Sequence, residues 1–247
     1  MSRDIKTKGI IIKKVNFRET SIILDILTPE YGVISVMAKG IRKQKSKNTG
    51  LLEILNELDL ILYKNPSSEW YIYRSSQIVN AHLFNIDIST SVLMQAAVEV
   101  IRQIIISVED SQEIYQLLET YFEYIKTVNI NGIAIFWRFL LKLFKIIGIE
   151  LNISNCIECS QRKQFFAYFP QNHGFICENC YHTVNDEQIF KINKNTSDLI
   201  SKLNNIGNYI DEISIPKTSI KQLNRIFLTH LSEHFHKKIH LKSIELL

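Results

Sequence analysis

The spacing of apolar side chains changes once along this chain, and the change divides it in two. Over residues 5–80 the period is two: Leu58, Leu60 and Leu62 alternate with Asp59, Ile61 and Tyr63, the pattern of a strand with one buried face. Residues 8–15, 20–27, 33–38, 54–63 and 69–74 are β-rich, which predicts five short strands. Turn chemistry separates them at residues 16–19, at 28–32 with Pro29 and Gly32, and at 64–68 with Pro66. Five strands in so short a stretch predict a small barrel, and the five-stranded oligonucleotide-binding (OB) barrel is the nucleic-acid-binding version of that architecture.

From residue 87 the period becomes helical. Val92, Ala96, Val100 and Ile104 form one series, Ile114, Leu117, Leu118, Tyr121 and Ile125 a second, and Ile135, Phe139, Leu143 and Ile146 a third. Asp110 with Glu113 reads as a capping-box variant, Asn131 as the cap of the third helix and Gly148 as its stop. Residues 217–241 read as a fourth long helix packed on the other three, with Ile220, Leu223, Phe227, Leu231 and Phe235 on one seam. The expected class is α+β. An OB-type barrel occupies residues 1–80, a helical domain 81–150 and 191–247, and a four-cysteine ribbon is inserted at 151–190.

Composition narrows function by exclusion. The 247 residues hold eight glycines, and the closest pair, Gly32 and Gly40, stand eight apart. Dinucleotide and P-loop phosphate sites need glycines clustered more tightly, so that backbone N–H groups approach phosphate without a Cβ in the way. The first eight residues are charged throughout and lack the apolar stretch of a signal peptide. No window approaches the roughly 18 uninterrupted apolar residues of a membrane helix. A cytoplasmic location is expected.

Charge adds a location to this picture. The net +4 conceals eleven Lys/Arg against four Asp/Glu in residues 1–50, and a concentrated positive field attracts polyanions where spread charge only aids solubility. Its densest part is Lys39-Gly-Ile-Arg42-Lys43-Gln-Lys45-Ser-Lys47, between the third and fourth strands. Exposed cations on a loop suit phosphate, because each neutralised phosphate releases counterions. Lys39, Arg42, Lys43, Lys45 and Lys47 are the candidate DNA contacts, extended by Lys13, Lys14 and Arg18 in the first strand and turn. Tyr63, Trp70, Tyr71 and Tyr73 are candidate stacking surfaces for unpaired bases. A second, smaller basic set is Lys217, Lys221 and Arg225.

All four cysteines fall into one motif. Cys156-Ile-Glu-Cys159 and Cys177-Glu-Asn-Cys180 are two Cys-x2-Cys knuckles separated by seventeen residues, inside the zinc-ribbon spacing. Phe165 to Phe169 and the turn from Pro170 to Gly174 would fold the pairs together, and four thiolates close a tetrahedral Zn2+ site with no position left for water. Such a site is structural. Two disulfides, a redox pair and four unrelated buried cysteines are the competing readings of the same thiols.

Catalytic constellations are sparse. His230-Leu-Ser-Glu233-His234 matches the His-x-x-Glu-His pattern of some zinc proteases, yet few residues follow it and both histidines flank an apolar seam. The ordinary reading is a half-exposed terminal helix. No catalytic residues are expected.

The order of parts is specific. Gly9-Ile-Ile-Ile-Lys13, Glu19-Thr20, Thr28-Pro-Glu-Tyr-Gly32 and Ala38-Lys39-Gly40-Ile-Arg42-Lys-Gln-Lys-Ser46-Lys47, followed by the four cysteines, resemble the RecO family of bacterial DNA repair proteins along nearly the whole chain. Ile41 departs from the small residue usual there, and residues 52–56 lack the family's Pro-Phe wording. The resemblance implies a recombination mediator rather than an enzyme. Such proteins bind single- and double-stranded DNA, anneal complementary strands, contact the acidic tail of single-stranded DNA-binding protein, and work with RecR to load RecA at gaps and breaks. It also implies one structural Zn2+ on Cys156, Cys159, Cys177 and Cys180, and a nucleoid-associated place in the bacterial cytoplasm. The alternatives are a zinc-ribbon transcription or RNA-binding factor with a basic barrel, and a metal-dependent hydrolase built on His230, Glu233 and His234.

Overall fold

A computed structural model describes residues 4–42, 50–64, 68–183 and 189–246. Five strands, β1 (Asp4–Phe17), β2 (Ser21–Thr28), β3 (Gly32–Ala38), β4 (Asn56–Lys64) and β5 (Tyr71–Ala81), close into a barrel in the order β1-β2-β3-β5-β4. All pairings are antiparallel except β3 with β5, the short parallel contact that closes the barrel. The alternation read from β4 is real: Leu58, Leu60 and Leu62 point into the core with Ile22, Leu24 and Ile26 of β2 and Ile34 and Val36 of β3. Ile41, the residue that departs from the family's small one, also fills this core. At Gly9 a Cβ would lie 2.4 Å from Ile26 Cγ2, so the barrel wall passes there only without a side chain.

Two strands outrun their predicted ends. β5 continues beyond Arg74 through Ser75, Ser76 and Gln77 to Ala81, because β4 offers a hydrogen-bonding edge as far as Asn56. β1 runs from Asp4, paired with β4 as far as Ile10 and with β2 from Ile10 to Phe17, with a bulge between Ile11 and Lys13.

The helices are α1 (Ile88–Ile101), α2 (Val108–Ile125), α3 (Gly132–Ile146), a single turn α4 (Glu178–Tyr181), α5 (Lys194–Lys202) and α6 (Lys217–His234). The chain forms two compact units, residues 1–126 with 242–247, and residues 127–241. In the first unit α1 and α2 accompany the barrel, and Ser111 Oγ and Tyr115 Oη of α2 donate to the Pro29 carbonyl and the Glu57 carboxylate, both at 2.9 Å. In the second unit α6 packs on α3 and α5. Residues after 241 return to the first unit, where Ser243 donates through N and Oγ to the carboxylate of Glu99 on α1.

The caps sort the local predictions. α2 begins after the cap Ser107, whose Oγ accepts from Asp110 N at 3.0 Å; Asp110 is therefore the third residue of the helix, not its cap. Asn131 does precede α3, in a left-handed conformation, but its side chain reaches the carbonyls of Ile210 and Ile213 instead of capping. Gly148 stops α3 at φ 74, with Ile149 N donating to Phe144 O at 2.8 Å, a Schellman closure. α6 ends at His234 rather than continuing to Leu241: His236 turns left-handed, and Ser232 Oγ accepts from Ile239 N. No helix among the described residues is long and apolar enough to cross a membrane.

In the second unit β6 (Phe165–Phe169), β7 (Gly174–Cys177) and β8 (Phe190–Lys191) form a small sheet in the order β7-β6-β8. A 3-10 turn, Pro170–Asn172, and left-handed His173 connect β6 to β7.

Candidate functional site

Of the predicted DNA contacts that the structure describes, Arg18 and Lys39 share one cleft of the barrel. The β1–β2 turn carries Phe17 and Arg18, the end of β3 leads into Lys39 and Gly40, and Trp70 stands at the start of β5. Together with Glu19, Thr20, Ser21 and Met37 they line a cleft of about 1080 Å3. Arg18 is exposed, in a left-handed turn, with its guanidinium 5.2 Å from the Phe17 ring centroid. Phe17 and Trp70 meet edge to face at 6.1 Å. Arg42 is tied to the same turn through its N–H to Thr20 O and its guanidinium to Arg18 O. Loops at these positions of an OB barrel are the ones that take oligonucleotides.

The other predicted contacts are placed differently. Lys13 lies 3.2 Å from Asp25, and Lys14 2.5 Å from Glu53, so each is matched by a carboxylate and offers less field to a phosphate. Lys43, Lys45 and Lys47 lie outside the described residues. Of the four aromatic candidates, Tyr73 is a core residue. Tyr71 packs on the core under Lys64 Nζ, Tyr63 lies under Arg74, and Trp70 alone of the four lines the cleft. Phe17, which the sequence reading passed over, is its partner; its place at the edge of a turn beside Arg18 was the available signal.

The second constellation is the ribbon. Cys156, Cys159, Cys177 and Cys180 are free thiols whose sulfurs all lie within 4.8 Å of one another. Cys159 Sγ and Cys177 Sγ are 3.9 Å apart, far beyond a disulfide and close to the roughly 3.8 Å that tetrahedral coordination at about 2.3 Å imposes. Backbone geometry builds the donors. Ser160 N donates to Cys156 O in a tight turn, Ile157 N donates to Phe175 O, and Cys177 N donates to Cys156 Sγ at 3.4 Å. Gly174 permits the contact, because a Cβ there would stand 2.3 Å from Ile157 Cγ2. Burial raises the Cys156 thiol, but N–H groups of Cys159, Cys177 and Glu158 outweigh it and bring it down to about 7. Burial and the three neighbouring thiols push Cys180 up to about 12. Four thiols at this spacing share one cation-sized space, and the cluster is able to hold a metal ion.

His230 lies on the buried face of the half-exposed helix α6. It is fully buried, with Nε2 2.6 Å from Ile149 O and Nδ1 3.3 Å from Tyr168 Oη. Burial first, and the neighbouring His234 and His173, hold it down at about 4. Lys217, Lys221 and Arg225 lie along α6, with the Arg225 guanidinium 4.1 Å from the Phe190 ring centroid.

Comparison with known proteins bears on the whole arrangement. The family model for recombination protein O N terminal matches residues 1–82, and that for recombination protein O C terminal matches residues 86–243. A DNA repair protein RecO of Clostridium perfringens is 28% identical over 229 residues, 91% of this chain and 85% of that protein. Those of Chlorobium phaeobacteroides and Pelodictyon phaeoclathratiforme are 26% and 25% identical over 70% and 62% of this chain. The matched stretch spans less than two thirds of these last two, 66% and 59%. With a barrel matched by one family model and most of the remaining chain matched by the other, the chain belongs to the RecO family of DNA repair and recombination proteins.

Proposed function

We propose that this protein is a recombination mediator that works without catalytic residues of its own. It binds single- and double-stranded DNA at the barrel mouth, anneals complementary strands, and acts with RecR and single-stranded DNA-binding protein to promote RecA loading at gaps and breaks. The observation that carries the DNA part is the cleft lined by Arg18, Lys39, Phe17 and Trp70. It pairs cations for the phosphate backbone with aromatic faces for unstacked bases, the two ingredients of sequence-tolerant single-strand binding. Arg42 extends the track, and Lys43, Lys45 and Lys47, next to it in the sequence, add to the charge, while Lys13 and Lys14 contribute to the field from the side of β1. Annealing in this reading is geometric and electrostatic. Cations relieve the repulsion between two backbones, and a cleft that unstacks bases on one strand leaves their pairing edges available. Partner contacts rest on the family likeness.

In the same reading the four cysteines hold one structural Zn2+, which fixes the two knuckles against the β6–β7 hairpin. Its loss should lower stability before it lowers DNA affinity. Cys156→Ser is expected to reduce the melting temperature and the zinc content together. DNA binding lost in a variant that stays folded would contradict a structural role.

The activity is tested by annealing two complementary oligonucleotides coated with single-stranded DNA-binding protein, with and without that protein's acidic tail, in the absence of ATP. Acceleration that depends on the tail is the expected result. Intact DNA binding without acceleration would reduce the protein to a DNA-binding module.

A further inference from the structure

Outside the cysteine cluster, a second set of metal-ligating side chains converges in the second unit. His173 sits at the β6–β7 turn, and His230 and His234 stand one helical turn apart on α6. One ring nitrogen from each lies within 4.8 Å of one from each of the others. The rings are in contact: His173 and His234 stack at 4.0 Å between centroids, and His230 meets His234 edge to face at 4.6 Å. Nothing in the sequence joins them, because His173 is distant from the helix that bears the other two.

We propose that His173, His230 and His234 form a transition-metal site of three imidazoles, separate from the four cysteines and independent of the DNA reading. The first support is an unpaired pair of atoms. His173 Nδ1 and His234 Nε2 are closed off from solvent and have no hydrogen-bond partner among the described residues, and a buried polar atom left unsatisfied is costly. The second is the state of His230. Its Nε2 lies 2.6 Å from the carbonyl of Ile149, a group that only accepts, so the proton is on Nε2 and the Nδ1 lone pair faces Tyr168 Oη at 3.3 Å, a long hydrogen bond that a metal on Nδ1 would replace. Metal-ligating histidines characteristically donate their other N–H to a carbonyl or carboxylate, which fixes the tautomer and aims the ring. The third is mechanical. His230 is fixed in the core while His173 and His234 are only partly buried, so two less confined rings face one that the core holds.

The donor set names the ligand class. Three neutral imidazoles without a thiolate or carboxylate suit Zn2+, Co2+, Ni2+ or Cu2+ and not Mg2+ or Ca2+. Metal–nitrogen bonds of about 2.0–2.1 Å place tetrahedral donors roughly 3.3 Å apart, within reach of side-chain rotation from the spacing in the structure. Three protein donors leave a fourth position for water. The site would pin the hairpin turn to α6, as the cysteines pin the two knuckles.

The test counts metal on the full chain, prepared without a histidine tag and brought to equilibrium by dialysis against Zn2+. Because loss of His230 endangers the core, the variants are His173→Asn and His234→Gln, each checked by circular dichroism. The wild type should carry one equivalent more than either variant, whether or not the cysteines are loaded. Titration with Co2+ separates the sites, since thiolate charge-transfer absorption belongs to the cysteines alone. It should persist in both histidine variants, while the weaker visible bands of the nitrogen site disappear. Equal Zn2+ counts in wild type and variants would overturn the proposal and leave three packed, metal-free rings.

Discussion

Glu57 is fully buried on β4, and its carboxylate accepts from Tyr115 Oη at 2.9 Å and Asn80 Nδ2 at 2.6 Å. A carboxylate out of water is tolerated only with such donors. Tyr115→Phe removes the one that joins α2 to the barrel, and it should cost about 1–3 kcal/mol, read as a lower urea midpoint. His82 lies beside this group, with Nε2 3.9 Å from Glu57, and Nδ1 3.5 Å from Glu123 and 2.9 Å from Lys126 Nζ. Burial first, then Lys126, hold its imidazole at about 4 against the opposing pull of Glu123 and Glu57. In the unfolded chain the same ring takes its proton near 6.5, so above that pH the group leaves stability unchanged. As pH falls from about 6.5 towards 4, the unfolded state binds the proton that the folded state refuses, and stability is lost. The urea midpoint should therefore drop more steeply between pH 7.5 and 4.5 in the wild type than in His82→Gln. Equal slopes would mean that His82 is solvated in the folded protein.

Elements whose pattern comes from burial were legible, and those set by edges or long-range partners were not. The alternation of Leu58, Leu60 and Leu62 announced β4, and the cysteine spacing announced the knuckles, because each is a local repeat with a single geometric solution. β5 ran past its expected end through Ser75, Ser76 and Gln77 because backbone pairing with β4, not side-chain hydrophobicity, extends it. α5 offered only Leu199 and Ile200 as a buried apolar pair and drew no prediction, although Asn193 caps it. The early stop of α6 has no Gly or Pro to mark it, only left-handed His236. The histidine cluster was half legible: the pair on α6 was visible as a motif, whereas His173 joins it only because the hairpin turn packs against that helix. Hairpin packing makes its own prediction. Gly174→Ala drives a Cβ into Ile157, and such overpacking should cost about 1–3 kcal/mol, seen as a lower melting temperature and faster modification of the metal-free thiols. An unchanged thiol rate would mean that the first knuckle does not need that close approach.

At the scale of the whole molecule, positive charge is concentrated in the first part of the chain: the first fifty residues carry eleven of the twenty-nine Lys/Arg, and two of them, Arg18 and Lys39, line one barrel cleft with Phe17 and Trp70. Backbone contacts and base stacking leave different signatures, which allows the cleft to be dissected. Each phosphate neutralised adds about 0.7 to the slope of log affinity against log salt for a single strand and about 0.9 for a duplex. Replacing Arg18, Lys39 and Arg42 together with Ala should weaken binding to every sequence and flatten that slope by about 2–3. Trp70→Ala should behave otherwise: it removes a stacking face worth about 1–3 kcal/mol, lowers single-strand affinity more than duplex affinity, and leaves the slope where it was. Titrations of both variants with single- and double-stranded oligonucleotides at several salt concentrations separate the two roles. A triple variant with the wild-type slope would move the backbone track away from the barrel, and Lys217, Lys221 and Arg225 on α6 would become the next residues to replace.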